Sequence, residues 1–250
     1  MTGRWDEVGD GVFRRRYREL DQNIGLVVAG DQLLVIDSRS HPYHGRQLIE
    51  HVAEVSSFPI RWLVNTHWHW DHCFGNSVFP DAVIIGHESC RSGLIANGPL
   101  QLSRLNEADW FPESERPYLE EVSIVPPTLT FVDRTPLWVG ERRLDLAHHG
   151  RGHTDADIVV TIDDVSFVGD LVEEGSPPAF SDSHPREWVA TIRRMAPELR
   201  SSVVPGHGDV VDAAFAIAQA EEIEAAVGGE PVYPAEIMEQ IRRRMQIDGV

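Results

Sequence analysis

Hydrophobic and polar positions change period several times along the chain. Over the first forty residues, Gly11 to Arg18, Ile24 to Ala29 and Gln32 to Asp37 read as strands, and Gly30-Asp31 supplies a turn between the last two. From Pro42 to Val55 the spacing becomes helical, with Leu48, His51, Val52 and Val55 on one side. Pro59 to Asn65 returns to a strand pattern and runs into a histidine-rich turn. Asp71 to Phe79 predicts a short helix with Asp71 near its start, and Ala82 to Gly86 a further strand. Asn97 to Pro127 breaks the pattern with prolines, acids and scattered aromatics (Trp110, Phe111, Tyr118). It reads as an irregular or partly helical insertion over the core, and such segments often carry specificity.

Strands resume at Leu129 to Val132, Leu137 to Val139, Arg143 to Ala147, Asp157 to Ile162 and Val165 to Val168. His184 to Met195 reads as a helix, Val203-Val204 as a short strand, and Asp209 to Val227 and Pro234 to Met245 as helices. Each half therefore holds a sheet segment followed by helices. The expectation is one α/β domain over residues 1–250, with two sheets packed together and helices outside.

Composition bounds the partners. The chain has 250 residues, 22 basic and 40 acidic, for a formal charge of −18. That balance disfavours nucleic acid and anionic membranes, which select for basic surfaces. All the basic residues are arginine, so lysine chemistry such as a Schiff base or a P-loop lysine is excluded. Two cysteines, Cys73 and Cys90, make neither a disulfide framework nor a four-thiolate zinc site. The N-terminal stretch has no apolar signal-peptide core, and no apolar run is long enough for a bilayer; a cytoplasmic protein is expected.

The strongest chemical signal is His67-Trp68-His69-Trp70-Asp71-His72, directly after a predicted strand. Alternate residues of extended chain point the same way, so His67 and His69 can reach one metal ion. Asp71 and His72 fall at the next turn, where a second ion can sit close by. Imidazole and carboxylate suit zinc, with iron or manganese as alternatives. His153, Asp170 and His207 each follow an apolar run in a glycine-containing turn, where glycine allows close backbone approach.

These motifs, HWHWDH, GRGHTDAD, FVGD and VVPGHG, resemble the metallo-β-lactamase superfamily from about Gly25 to Gly208. The resemblance implies a four-layer αββα sandwich of two mixed β-sheets, helices outside, with metals at one edge. It implies that His67, His69 and His153 hold a first metal. Asp71, His72 and His207 would hold a second, and Asp170 would bridge both, with two zinc ions per chain. It further implies a dinuclear hydrolase in which metal lowers the pKa of water from about 16 towards ~7. The resulting hydroxide would attack a small ester, thioester or lactone, with Asp71 orienting the nucleophile. Asp170 resembles the bridging aspartate of glyoxalase II and lactonases more than true β-lactamases. A mononuclear iron persulfide dioxygenase of the same fold resembles the chain at His67, His153 and Asp170, and is the alternative.

Several residues remain. Asp37, at a strand end, is the candidate partner for a ligand imidazole, or else a simple cap. His149 and His184 are candidates to touch substrate. Trp68 is expected in the core and Trp70 at a pocket rim. Cys73 is expected to be a buried thiol. Arg242-Arg243-Arg244 is expected on a solvated helix face. His41 and His44 are expected to be packing or surface residues. The selecting surfaces are expected in Asn97 to Pro127 and Glu173 to His184. Oligomeric state is open.

Overall fold

The apolar runs Leu33–Ile36 and Ile158–Val160 are strands buried on both faces, which is why they lack strict alternation. The computed structural model describes residues 3–247. Met1, Thr2 and residues 248–250 of the expected 1–250 domain lie outside the described residues. The first half runs β1 (Trp5–Gly9), β2 (Val12–Tyr17), β3 (Gln22–Ala29), β4 (Gln32–Ile36), α1 (Pro42–Val52), β5 (Ile60–Val64), α2 (Trp70–Cys73) and β6 (Val83–His87). Then come α3 (Glu88–Glu107), α4 (Arg116–Leu119) and β7 (Leu129–Phe131). The second half runs β8 (Arg134–Val139), β9 (Arg142–His148), β10 (Ile158–Ile162), β11 (Val165–Glu173) and α5 (Pro185–Met195). It ends with β12 (Ser202–His207), α6 (Ala213–Val227) and α7 (Ala235–Ile247).

The strands hydrogen-bond in the order β7-β6-β5-β4-β3-β12-β11-β10-β9-β8, with β2 and β1 added beside β3. The two expected sheets are thus halves of one path, joined at β3 and β12 by the single pair His207–Gln22. The halves fold face to face. Leu34, Ile36 and Val64 of one meet Leu144, Val160 and Phe167 of the other in a shared core. The outer face of the first half, with Leu26, Leu33 and Val35, packs on Leu48 and Val52 of α1. The outer face of the second, with Val159, Val168 and Val203, packs on Trp188, Ile192, Ala220 and Ile223 of the C-terminal helices. Those layers make the αββα sandwich.

Several boundaries differ from the sequence expectation: α2 ends at Cys73 instead of reaching Phe79, and β8 begins at Arg134 instead of Leu137. The segment from Asn97 is not mainly irregular: α3 begins at Glu88 and continues through Gly98-Pro99 to Glu107. Its apolar residues are scattered around the helix, and a glycine and a proline inside it mask the period. β1 (WDEVG) carries two adjacent acids that break the alternation, and it pairs with β2 alone. β11 does not stop near Asp170 but runs on to Glu173. α6 starts at Ala213, because the Asp212 carboxylate accepts from Phe215 N–H at 2.9 Å and caps it. No helix among the described residues is long and apolar enough to cross a membrane.

Candidate metal centre

The seven ligand-type residues of the sequence converge at one edge of the sandwich, where β5, β11 and β12 end. His67, His69, His153 and Asp170 form one set whose ligand-type atoms lie within 4.8 Å of one another, and Asp71, His72 and His207 form a second. Asp170 reaches both. Its Oδ2 lies 3.3 Å from His153 Nε2 and 3.4 Å from His207 Nε2, and its Oδ1 lies 3.3 Å from His72 Nε2. Close approach requires glycine here: a Cβ on Gly206 would fall 1.8 Å from Asp170 Oδ1.

The local chain explains the placement. Thr66 and His67 follow β5 in a bend, and the Thr66 carbonyl accepts from Ile158 N–H at 3.0 Å, tying the turn to β10. His69 sits at the N-terminus of α2 with φ −71° and ψ 152°, and Asp71 and His72 turn inward on its single turn. Trp68 points away and is 7% exposed, its indole donating to Asp155. Trp70 lines the cavity above the metal-type cluster, as a rim residue.

Four of the five imidazoles have one nitrogen held from behind, so the other faces inward; His153 Nδ1 is buried without a hydrogen bond. His72 Nδ1 donates to Asp37 at 2.8 Å, and His207 Nδ1 to the Leu20 carbonyl at 2.7 Å. His69 Nε2 donates to Asp182 at 3.0 Å, and His67 Nδ1 faces the Thr66 hydroxyl at 3.1 Å. Thr66 in turn donates to Asp37 from both its hydroxyl and its N–H. His153 Nδ1 lies 3.5 Å from Glu173. Asp37 thus stands behind His72 and, through Thr66, behind His67. The inward atoms crowd one another: His153 Nε2 lies 2.7 Å from His69 Nδ1, and His72 Nε2 lies 3.3 Å from His207 Nε2. His67 Nε2 and Asp170 Oδ1 are buried with no hydrogen-bond partner. Converging nitrogen and carboxylate donors left unspent in a buried place are what a divalent cation satisfies.

Electrostatics agree. Burial opposes charge on His72 and His207, yet the carboxylates of Asp170 and Asp71 outweigh it and hold both imidazoles well above their usual range. Burial likewise opposes ionisation of Asp71 and Asp170, and the facing imidazoles outweigh it, holding both carboxyls well below theirs. The paired aspartates thus call for positive charge between the imidazoles, which a bound cation would supply in place of protons. His67 and His153 go the other way: burial pushes His67 well down and His153 to about 4, so both stay neutral.

A cavity of about 530 Å³ opens over the cluster. His69, Asp71, His153, Asp170 and His207 form its floor. Gln101, Arg104 and Leu105 of α3, with Trp110 beyond it, make one wall; Glu173, Glu174 and the chain from Ser176 to Asp182 make the other. Both walls belong to the two segments named from the sequence as selecting surfaces. His149 and His184 do not line it. His149 turns aside, its carbonyl accepting from Arg194 at 2.7 Å, and His184 precedes α5 with its N–H donating to Gly152. Arg242 and Arg243 are exposed and pair with Glu239 on their own helix. Arg244 departs from the solvated-face expectation: half-buried, it donates to the Ser183 carbonyl at 2.6 Å, beside Asp182. Cys73 is buried and its thiol faces the His67 carbonyl at 2.9 Å. Sequence reading missed Asp182 as a partner of His69 and Glu173 as a neighbour of His153. Both are acids in a loop-rich stretch, and only their position after Asp170 hinted at them.

A sandwich with its metal-type cluster at this edge defines a class of metal-binding α/β proteins. The family model of the metallo-beta-lactamase superfamily matches residues 17–207, and the chain belongs to that superfamily. Solved structures agree in fold. A metallo-beta-lactamase from Pontibacter korlensis superposes with TM-score 0.72 at 18% identity, covering 88% of this chain and 99% of that one. DIM-1 metallo-beta-lactamase superposes with TM-score 0.71 at 18% identity, covering 90% and 99%. TMB-1 gives 0.70 at 17% identity, covering 90% and 99%. No curated protein matches the sequence.

Proposed function

We propose that this protein is a dinuclear zinc hydrolase of a small carbonyl substrate, an ester, thioester or lactone. The observation that carries the reading is the set of converging nitrogens and carboxylates at the cavity floor, with His67 Nε2 and Asp170 Oδ1 buried and unspent. His67, His69 and His153 would hold one ion, Asp71, His72 and His207 the other, and Asp170 would lie between. Two such ions supply a water acidic enough to lose its proton near neutral pH, and a Lewis acid for the carbonyl.

The chain's own groups do the rest. The Asp71 carboxylate faces the cavity and orients the attacking water. Asp37, Thr66 and the Leu20 carbonyl keep a proton on the outer nitrogen of His67, His72 and His207, so the inner nitrogen stays a lone pair. Asp182 does the same for His69. Neither a serine nor a cysteine nucleophile is needed, and both cysteines are buried. An acid group over the cluster is Glu173, which burial and the Asp170 charge push up to about 8.

Elemental analysis of protein purified without added metal tests the reading. Near two zinc per chain, together with hydrolysis of an ester, thioester or lactone panel, is the expected result. About one iron per chain, with oxygen uptake dependent on a persulfide, overturns it in favour of a sulfur dioxygenase.

A further inference from the structure

Charges lining the cavity are unevenly satisfied. Asp21 is paired with Arg16, Asp182 with His69, and Asp71 and Asp170 with the histidines. Glu173 accepts from Ala179 N–H at 2.9 Å and Glu174 from Asp209 N–H at 2.7 Å. Arg104 is the one arginine on the wall among the described residues, and it makes no hydrogen bond or ion pair with any of them. Arg104 is exposed, so its guanidinium is free to meet a ligand at the cavity mouth. A role at the C-terminal end of α3 would be the ordinary account, since cations favour that end. Arg116 already fills it: its guanidinium donates to the carbonyls of Leu105, Asn106 and Ala108.

The same mouth exposes apolar surface. Trp110 is 64% exposed, beside Trp70 at 6.1 Å between ring centroids and beside the buried Phe111. Leu20, which also lines the cavity, is 42% exposed and held in left-handed backbone at φ 64°. Its carbonyl is fixed by His207, so the strained turn presents the side chain to the cavity. Exposed leucine and tryptophan lining one concave site mark a surface that a ligand covers.

We infer that the cavity selects an amphipathic organic anion, whose aromatic or alkyl group packs between Leu20 and Trp110 and whose carboxylate pairs with Arg104. This deepens the proposed hydrolase reading, which it rests on, by giving its substrate class: a carbonyl compound with an apolar group and a separate negative charge. Guanidinium recognises carboxylate by two parallel hydrogen bonds, which neither the acidic wall nor a neutral side chain offers.

The test is calorimetric titration of the metal-loaded protein with 2-naphthylacetate and with its neutral amide. The wild type is expected to bind the anion about tenfold or more tighter than the amide, as a charged hydrogen bond allows. Arg104→Ala is expected to reduce that preference to within about twofold at unchanged metal content, leaving the amide affinity intact. Trp110→Ala is expected to weaken both ligands alike. Equal affinity for the two ligands in the wild type overturns the inference, as does a preference that survives Arg104→Ala, which would place the carboxylate on the metals. Binding is read without turnover, so the two readings fail separately. A preference lost in Arg104→Ala stands even if no ester is hydrolysed. Hydrolysis with no anion preference sinks the substrate class alone.

Discussion

His67, His69 and His153 stand around Asp170, and His41 and His44 stand around Glu115; in both groups the ligand-type atoms lie within 4.8 Å of one another. The rings differ. His67, His69 and His153 are mutually near-perpendicular, at 84°, 89° and 86°, so their in-plane lone pairs converge on one point. His41 and His44 are stacked at 3.9 Å and 22°, and a metal cannot lie in both ring planes at once. The nitrogens differ too. His41 Nδ1 accepts from His44 N–H, His41 Nε2 faces Glu115 at 3.3 Å, and His44 Nδ1 is 2.7 Å from the Ser40 hydroxyl. Tyr118 stacks on Tyr43 at 4.3 Å and flanks the pair. The Arg39 guanidinium adds a repelling charge to both histidines. The second cluster is a packing device that docks α4 on the start of α1. Residue type makes neither cluster a metal site; ring orientation and unspent nitrogens do.

The largest expected effect comes from removing one member of each group. His67→Ala is expected to lose bound metal and turnover by more than the roughly 10–100-fold typical of an outer-shell change. His44→Ala is expected to keep metal stoichiometry and turnover and to lower only stability, by about 1–3 kcal/mol. Metal analysis and urea unfolding of both variants check this; metal loss in His44→Ala would undo the contrast.

A smaller effect is expected one bond back from the centre. Asp37→Ala removes the acceptor of His72 Nδ1 and of Thr66, and is expected to weaken metal binding about 10–100-fold. Competition with a chelator measures it, and unchanged affinity would reduce Asp37 to a strand cap.

The smallest effect is a pH dependence confined to the second cluster. Burial pushes His41 down to about 4 and His44 to about 2, while unfolded histidine titrates near ~6.5. The unfolded chain therefore takes up protons first. This contribution to stability is whole above about pH 6.5 and declines as pH falls, the His41 share down to about 4 and the His44 share down to about 2. His41→Gln is expected to flatten that part of the urea midpoint against pH; an unchanged slope would put the titration elsewhere.

Legibility followed the range of the interactions. The strands of the sandwich were readable because runs such as Leu33–Ile36 and Ile158–Ile162 carry their own signal. The ligand cluster was readable because four of its members sit within six consecutive positions, and the other three follow apolar runs. α3 was hidden by its scattered apolar positions and by Gly98-Pro99, and β1 by the adjacent acids Asp6 and Glu7, which break its alternation. His149, adjacent in sequence to a site loop, turned out to face elsewhere, since neighbours along a chain need not share a side of it.

By itself, then, the sequence determined the strand pattern, the superfamily motifs and which side chains carry ligand chemistry, all of them local properties. Only the tertiary structure decided which nitrogen of each imidazole faces inward, because the groups that anchor them are remote: Asp182 lies 113 positions from His69, and Leu20 lies 187 from His207. It also decided that Arg116 rather than Arg104 closes the end of α3, which leaves Arg104 turned to the cavity without a partner. A hydrogen bond between distant residues depends on where folding brings two backbones, and no local period records that.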